Sequence, residues 1–136
     1  MPMNNNSTQV FDTVEQMPSF KGGKIKRRVI DPETGLDRIV EENIPSGDLG
    51  LMIYLSKTVK YPVTAMENGI QGRVVCTFIV NTDGSITDVK VTKSVDPSLD
   101  KEAVRVIKNM PKWTPGMQEG QPIRVRYTVP VTFRLQ

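Results

Sequence analysis

The chain has 136 residues, of which 38% are apolar, 24% charged and 6% aromatic, and its formal net charge is +3. This length and composition fit one globular domain with appended segments, and the small basic excess does not indicate a nucleic-acid-binding protein. The sequence has no histidine and one cysteine, which excludes His-based catalytic pairs and an intrachain disulfide and leaves zinc only carboxylate ligands. It has no apolar run long enough to span a membrane and no signal-peptide core. We therefore expect a protein that is not an enzyme and needs no cofactor or metal.

Residues 1–20 are predicted to form a flexible lead-in. Residues 1–9 are polar and rich in asparagine, a composition typical of disorder. Residues 10–14 alternate in side-chain direction and predict a short strand, which Pro18 ends.

Residues 21–46 are predicted to form an inserted β-hairpin. Its turn, Asp31-Pro32-Glu33-Thr34-Gly35, has the residues that a type I turn followed by a left-handed glycine favours. One arm is basic and the other mostly acidic, so the hairpin is expected to neutralise itself through cross-strand pairs. The alternative is a basic docking patch, formed by Lys21, Lys24, Lys26, Arg27 and Arg28.

Residues 47–136 show the pattern of a small α+β domain. The first half predicts a helix over residues 48–60 that Asp48 caps, and then a short helix over residues 62–68. Alternating residues 70–81 predict a half-buried strand.

The second half of this region continues with a turn, a strand, a helix and a final strand. Asn81-Thr82-Asp83-Gly84 predicts a hairpin turn before a strand over residues 85–95. Asp96-Pro97 is a typical start for the helix that ends before Pro111. The expected fold is a small antiparallel sheet of three core strands, in the order helix, strand, strand, helix, strand, with two helices packed on one face.

The last strand, over residues 123–135, carries arginines on its outward face and contains Pro130. A proline donates no ladder hydrogen bond and is typical of an edge strand or a bulge. The three arginines and the proline either guard this edge against aggregation or leave it open for an incoming strand. The outward cations are Arg124, Arg126 and Arg134.

Other chemically distinctive residues are better explained as structural. Cys76 alternates in phase with its apolar neighbours and is expected in the core. Trp113 is interpreted as a core side chain rather than a ligand-stacking platform. Gly22-Gly23-Lys24 is not a phosphate-binding loop, because Ile25 stands where Ser or Thr is needed.

Several short motifs in residues 48–136 resemble the C-terminal domain family of TonB. They are a Tyr-Pro pair, a Gly-x-Val, an Asp-Gly and a Trp-x-Pro-Gly, in that order, and their combination is far more specific than any one of them. Residues 24–46 then correspond to an insertion relative to the family. The motif residues are Tyr61, Pro62, Gly72, Val74, Asp83, Gly84, Trp113, Pro115 and Gly116.

The resemblance implies a periplasmic energy transducer that is tethered to the inner membrane by an N-terminal segment absent from this chain. Such proteins bind the TonB box, a short extended segment of outer-membrane receptors for iron chelates, vitamin B12 or glycans. They pass on force from the ExbB–ExbD proton channel, and they are not expected to bind nucleic acid. The resemblance places the box contacts at Ile123, Arg124, Val125, Arg126, Tyr127, Thr128, Val129 and Val131.

Five further hypotheses follow. The outward arginines are expected to select acidic residues in the box, and residues 10–14 are expected to compete with the box for an open edge. Open edges also permit a homodimer by strand exchange. The alternative function is an accessory domain of a BlaR-type membrane sensor. A third interpretation, binding to nucleic acid or an anionic surface through the basic hairpin arm, would show a steep salt dependence.

Overall fold

The computed structural model describes residues 9–135, so the predicted disordered stretch over residues 1–9 lies, except for Gln9, outside the described residues. Three helices and seven strands follow one another in this part of the chain. They are β1 (Val10–Phe11), β2 (Gly23–Ile30), β3 (Asp37–Ile44), α1 (Gly47–Thr58), α2 (Val63–Glu67), β4 (Gly72–Val80), β5 (Ile86–Lys93), α3 (Pro97–Lys108), β6 (Gly116–Gln118) and β7 (Gln121–Phe133).

The main sheet has the strand order β1-β7-β4-β5, and β6 also pairs with β7. The α+β class and the three predicted core strands, β4, β5 and β7, are confirmed. The short strand predicted over residues 10–14 is present as β1, and β6 is a further strand that was not predicted. β7 is consequently an inner strand: β4 pairs with one side of it, while β6 and β1 take part of the other.

The predicted alternation places the core on one face of this sheet. Val74, Cys76 and Phe78 of β4 are fully buried, and Val129 and Val131 of β7 pack in the same cluster. Burial raises the pKa of the Cys76 thiol to about 11. The cysteine is therefore a small core residue, as expected.

The helices cover this apolar face. Asp96 caps α3, with its carboxylate accepting a hydrogen bond from the Ser98 N–H at 3.0 Å, as the Asp-Pro pattern predicts. The expectation for α1 was wrong: Ser46 is its N-cap and Asp48 lies inside the first turn, because the helix begins one residue earlier, at Gly47. α1 buries Tyr54, whose hydroxyl donates to the Val106 carbonyl of α3 at 3.2 Å.

The hairpin of β2 and β3 forms a separate two-stranded sheet with complementary charges. Register places Arg28 and Asp37 near one another, and they form an ion pair. Lys24 pairs with Glu41 at 3.4 Å, and Arg27 pairs with Glu42 at 2.9 Å. Three cations of the proposed basic patch are therefore matched by acidic partners inside the hairpin, which favours the self-neutralising interpretation.

The hairpin is fastened to the domain at its base. Ile44, at the end of β3, is buried in the main core, and Ile25 packs against that core. Glu42 accepts from Arg27 and also pairs with Lys57 of α1, whose Nζ lies 2.9 Å from Oε2. These contacts connect the insertion to α1 by both apolar and ionic interactions.

The Glu42 ion pairs predict an acid-sensitive contact between hairpin and domain. Hydrogen bonds from Arg27 and Lys57 lower the pKa of the Glu42 carboxyl from 4.5 to about 2. A lowered pKa means that its stabilising effect is complete above about pH 4.5 and is lost as the pH falls through about 2. Between these pH values, unfolding midpoints of Glu42→Gln should change less with pH than those of the native chain. Identical pH profiles for Glu42→Gln and the native chain would contradict the prediction.

The segment before the hairpin is anchored in the core at Phe20, which is 1% exposed. Its ring lies 5.5 Å from that of Tyr54 and 5.9 Å from that of Trp113. Upstream, Ser19 and Gln16 form bridges to Thr114 and Met117. This segment therefore runs along the outer side of β6, and β1, which precedes it in the chain, pairs with β7.

Within residues 9–135 no helix is long and apolar enough to cross a membrane. The same residues contain no cluster of three or more side chains suited to holding a metal ion.

Candidate functional site

The outer side of β7, facing away from β4, is the candidate site, and the chain itself occupies its first part. Ile123 pairs with Gly116 of β6 in an antiparallel arrangement. Arg124 and Val125 pair with Val10 and Phe11 of β1, and this pairing is parallel. Three of the eight predicted contact residues therefore already have strand partners on this side.

Beyond Val125 the outer side of β7 has no strand partner among residues 9–135. Arg126 and Thr128 are exposed, whereas Val129 and Val131 are buried in the core. Tyr127 is half-buried, with its ring 4.9 Å from Trp113. The predicted contact residues thus lie in one strand, and the outer edge of that strand faces open space from residue 126 onward.

The direction of the main chain explains why Pro130 is tolerated here. Val75 pairs with Pro130, and the Val75 carbonyl accepts a hydrogen bond from the Thr92 hydroxyl of β5 at 3.2 Å. The main chain of Val75 thus points to β5, and in an antiparallel ladder its partner must point the opposite way. Pro130 therefore costs no hydrogen bond to β4, and its carbonyl faces the outer edge.

Alternation gives Arg126, Thr128 and Thr132 the same outward main-chain direction as Pro130. An added strand would meet the N–H and C=O groups of these three residues but only the carbonyl of Pro130. An added strand would therefore lack one main-chain hydrogen bond, the one from residue 130, near the middle of the open stretch. The edge is open, but it is not a continuous template.

An apolar groove of about 530 Å³ runs beside the C-terminal part of this edge, between β7 and α1. Met52 on its α1 side is 67% exposed although it is a large apolar side chain. The sequence analysis did not assign α1 to the site; the available signal was the helical spacing of its apolar residues, among them Leu55 and Val59. The apolar walls consist of Met52, Leu55, Val59, Tyr61, Val131 and Phe133.

The outward arginines differ in their surroundings. Arg124 Nε donates to Asn81 Oδ1 at 2.9 Å. Arg126 Nη1 forms an ion pair with Asp12 Oδ1, just after β1, at 2.9 Å. Arg134 is exposed and has no ion-pair partner among residues 9–135.

Three of the motif residues that were predicted from the sequence lie next to the groove or to the end of β7. The Tyr61 hydroxyl donates to the Ile70 carbonyl, and its ring lies edge-on to Phe133 at 5.6 Å. Pro62 is the N-cap of α2 and Val74 is fully buried. These contacts hold the end of β7 and the groove wall together.

A second group of motif residues meets around Trp113, which is 2% exposed. The main-chain N–H of Trp113 donates to the Gly84 carbonyl at 2.8 Å, which joins the turn between β4 and β5 to the chain after α3. The Asp83 carboxylate accepts from the Ser85 N–H at 3.0 Å, and hydrogen bonds from Ser85 lower its pKa. Gly116 lies against Val125 of β7.

The remaining motif residues lie at strand entries. Gly72 begins β4, where its Cα faces the Val95 side chain, and Pro115 is half-buried directly before β6. The nine motif positions therefore lie around the sheet, and none of them is among residues 126–133 of the open edge.

Comparison with known proteins places these features in a family. Residues 57–135 match the profile described as "Gram-negative bacterial TonB protein C-terminal". Protein TonB of Helicobacter pylori is 34% identical over 83 residues, which cover 60% of this chain and 28% of that protein. Protein TonB of Xanthomonas campestris pv. campestris is 35% identical over 77 residues, which cover 56% of this chain and 34% of that protein. The chain thus spans about a third or less of the length of these curated relatives.

The fold comparison agrees with the sequence comparison. A solution structure of the Helicobacter pylori TonB C-terminal domain superposes with a TM-score of 0.51 and 28% sequence identity, and covers 63% of this chain and 78% of that one. The profile match alone includes more than half of the residues. The chain therefore belongs to the TonB C-terminal domain family.

Proposed function

We propose that this chain is the periplasmic domain of a TonB-like energy transducer that binds the TonB box of outer-membrane receptors by β-strand addition. The observation that carries the proposal is the unpaired outer side of β7 over residues 126–133, next to an apolar groove. An extended segment that pairs there alternates its side chains between the groove and solvent. The groove then favours apolar residues at alternate positions of the box.

The energetics favour weak, reversible binding. An added strand makes about four to six main-chain hydrogen bonds, each with a net contribution of about 0.5–1.5 kcal/mol. Ordering a flexible segment costs about 2–5 kcal/mol. The balance, with apolar contacts in the groove, corresponds to dissociation constants in the micromolar to millimolar range.

Such a complex still transmits force when it is pulled along the strand axis, because all its main-chain bonds are then loaded together in shear. The force would come from an inner-membrane proton channel of the ExbB–ExbD type, through a membrane tether. Nutrient uptake through the receptor is the process that this coupling would serve.

An NMR titration of the labelled chain with TonB-box peptides of candidate receptors tests the proposal. We expect shifts concentrated at residues 126–133 and at the groove wall, including Leu55 and Val59. A Thr128→Pro variant removes an outward N–H and should weaken binding, whereas Thr92→Val on the opposite edge strand is the matched control. Saturating peptide without shifts along residues 126–133 would contradict strand addition and favour the membrane-sensor alternative.

The parallel pairing of β1 with β7 makes the competition hypothesis testable in the same assay. A box that extends over Arg124 and Val125 must displace β1 and break the Asp12–Arg126 ion pair. Deleting residues 1–14 retains Phe20 in the core and should raise peptide affinity by about tenfold. Unchanged affinity would confine binding to residues 126–133 and reject competition by β1.

A further inference from the structure

Two arginines at the far end of the open edge have no acidic partner within the described residues. Arg73 of β4 pairs in register with Thr132, and Arg134 follows β7 directly, so the two are diagonal neighbours. Both are exposed, and neither forms an ion pair with residues 9–135. Arg126, by comparison, already has Asp12 as its partner.

Both arginines line one open cavity of about 460 Å³. Its floor is held in place because the Gln71 side-chain carbonyl accepts a hydrogen bond from the Leu135 N–H at 2.8 Å. Nearby like charges without counter-charges disfavour one another, so an anion placed between them gains two favourable contacts. A guanidinium also offers paired donors that match the two oxygens of a carboxylate.

This cavity is continuous with the candidate peptide edge. Thr132, Phe133 and Arg134 line both the cavity and the apolar groove beside β7. A segment that pairs along residues 126–133 therefore leads directly to the two arginines when it leaves the sheet. The two cations at this point favour an acidic segment as occupant.

We propose that Arg73 and Arg134 form a carboxylate subsite for an acidic side chain of the incoming segment, immediately beyond its paired stretch. The proposal rests on the function proposed above. It adds that the bound peptide carries an acidic residue at this position. Of the three outward arginines at which selectivity was expected, the subsite includes only Arg134 and adds Arg73, because Arg124 and Arg126 have partners within the chain.

The test uses three versions of one TonB-box peptide and the full chain. One version carries aspartate after the paired stretch at the C-terminal flank, one carries it at the N-terminal flank, and one carries asparagine at both. At low salt, aspartate at one flank should tighten binding about three- to tenfold relative to asparagine. High salt should reduce this gain, because the site is exposed.

Charge-neutralising variants locate the effect. Arg73→Gln/Arg134→Gln should abolish the gain, whereas Lys90→Gln/Lys93→Gln, which removes two exposed cations of the neighbouring strand β5, should preserve it. Equal affinity of the aspartate and asparagine peptides, or an equal loss in both double variants, would overturn the subsite. The flank that gives the gain also reports strand direction, since a parallel segment brings its C-terminal end to Arg134.

The two proposals fail in distinguishable ways. If the asparagine peptide shifts residues 126–133 but aspartate adds nothing, the peptide edge stands and the carboxylate subsite is wrong. If no peptide shifts β7 in any variant, strand addition is wrong and the subsite falls with it.

Discussion

Replacing Trp113 with alanine is expected to lower the free energy of unfolding by about 3–5 kcal/mol, a large part of the total stability of a small domain. The indole is 2% exposed and lies between the rings of Phe20, Phe78 and Tyr127, with centroids 4.9–5.9 Å apart. Its removal leaves a cavity where the N-terminal segment, the sheet and the chain after α3 meet. Urea denaturation followed by circular dichroism measures the loss.

Trp113→Phe is the matched control for this prediction. It retains an aromatic ring, and it also removes the indole N–H, which is buried without a hydrogen-bond partner among the described residues. Its cost should therefore be well below that of the alanine variant, because an unsatisfied buried donor is itself unfavourable. A loss under 1 kcal/mol for Trp113→Ala, or equal losses for both variants, would show that Trp113 is not a central core residue.

Replacing Gly84 with alanine is expected to destabilise the domain by about 3–5 kcal/mol. Gly84 has φ +86°, a left-handed conformation, and an added Cβ would lie 2.0 Å from the Trp113 carbonyl oxygen. The turn cannot move away from Trp113 easily, because the main-chain N–H of Trp113 donates to the Gly84 carbonyl. Backbone strain and steric overlap therefore add together at this position.

Gly120→Ala separates these two contributions. Gly120 also has a left-handed φ, +74°, but no atom lies within 4 Å of an added Cβ. Its replacement should cost only the backbone term, about 1–2 kcal/mol. Equal denaturation midpoints for the Gly84 and Gly120 variants would contradict a close approach of the turn to Trp113.

The regular elements could be predicted because their local patterns agree with their environment. α3 has a capping aspartate, a proline in its first turn and a stripe formed by Leu99, Ala103 and Ile107, and all three of these are fully buried. β4 and β7 alternate because only one face of the sheet packs against helices. In these elements local preference and tertiary packing favour the same structure.

Of the two short strands, β1 was predicted over residues 10–14 and lies at Val10–Phe11, whereas β6 was not predicted. β6 joins β7 through Glu119 and Gly120, both with positive φ, which is the geometry of a type I′ turn. Glutamate is rarely found in the left-handed conformation, so Glu-Gly was a weak turn signal. The sequence predicted that residues 10–14 compete for an open edge, but the parallel pairing of β1 with Arg124 and Val125 depends on residues 16–19, which bring β1 to β7.

The candidate site was predictable in position but not in extent. Alternation and Pro130 indicated an open edge along the last strand, and the structure leaves that edge without a strand partner from residue 126 onward. The occupation of Arg124 and Val125 by β1 depends on a segment more than 100 residues away. The groove depends on the tertiary placement of α1, which exposes Met52 although its helix is largely packed.

The burial of Cys76 makes the native chain a ready background for site-specific labelling. This thiol is the only one in the sequence, it is fully buried, and its pKa of about 11 keeps it protonated at neutral pH. Maleimide reagents need an accessible thiolate, so a cysteine introduced at exposed Thr128 should react selectively without removal of Cys76. A fluorophore or spin label placed there reports directly on occupancy of the open edge in the otherwise native protein.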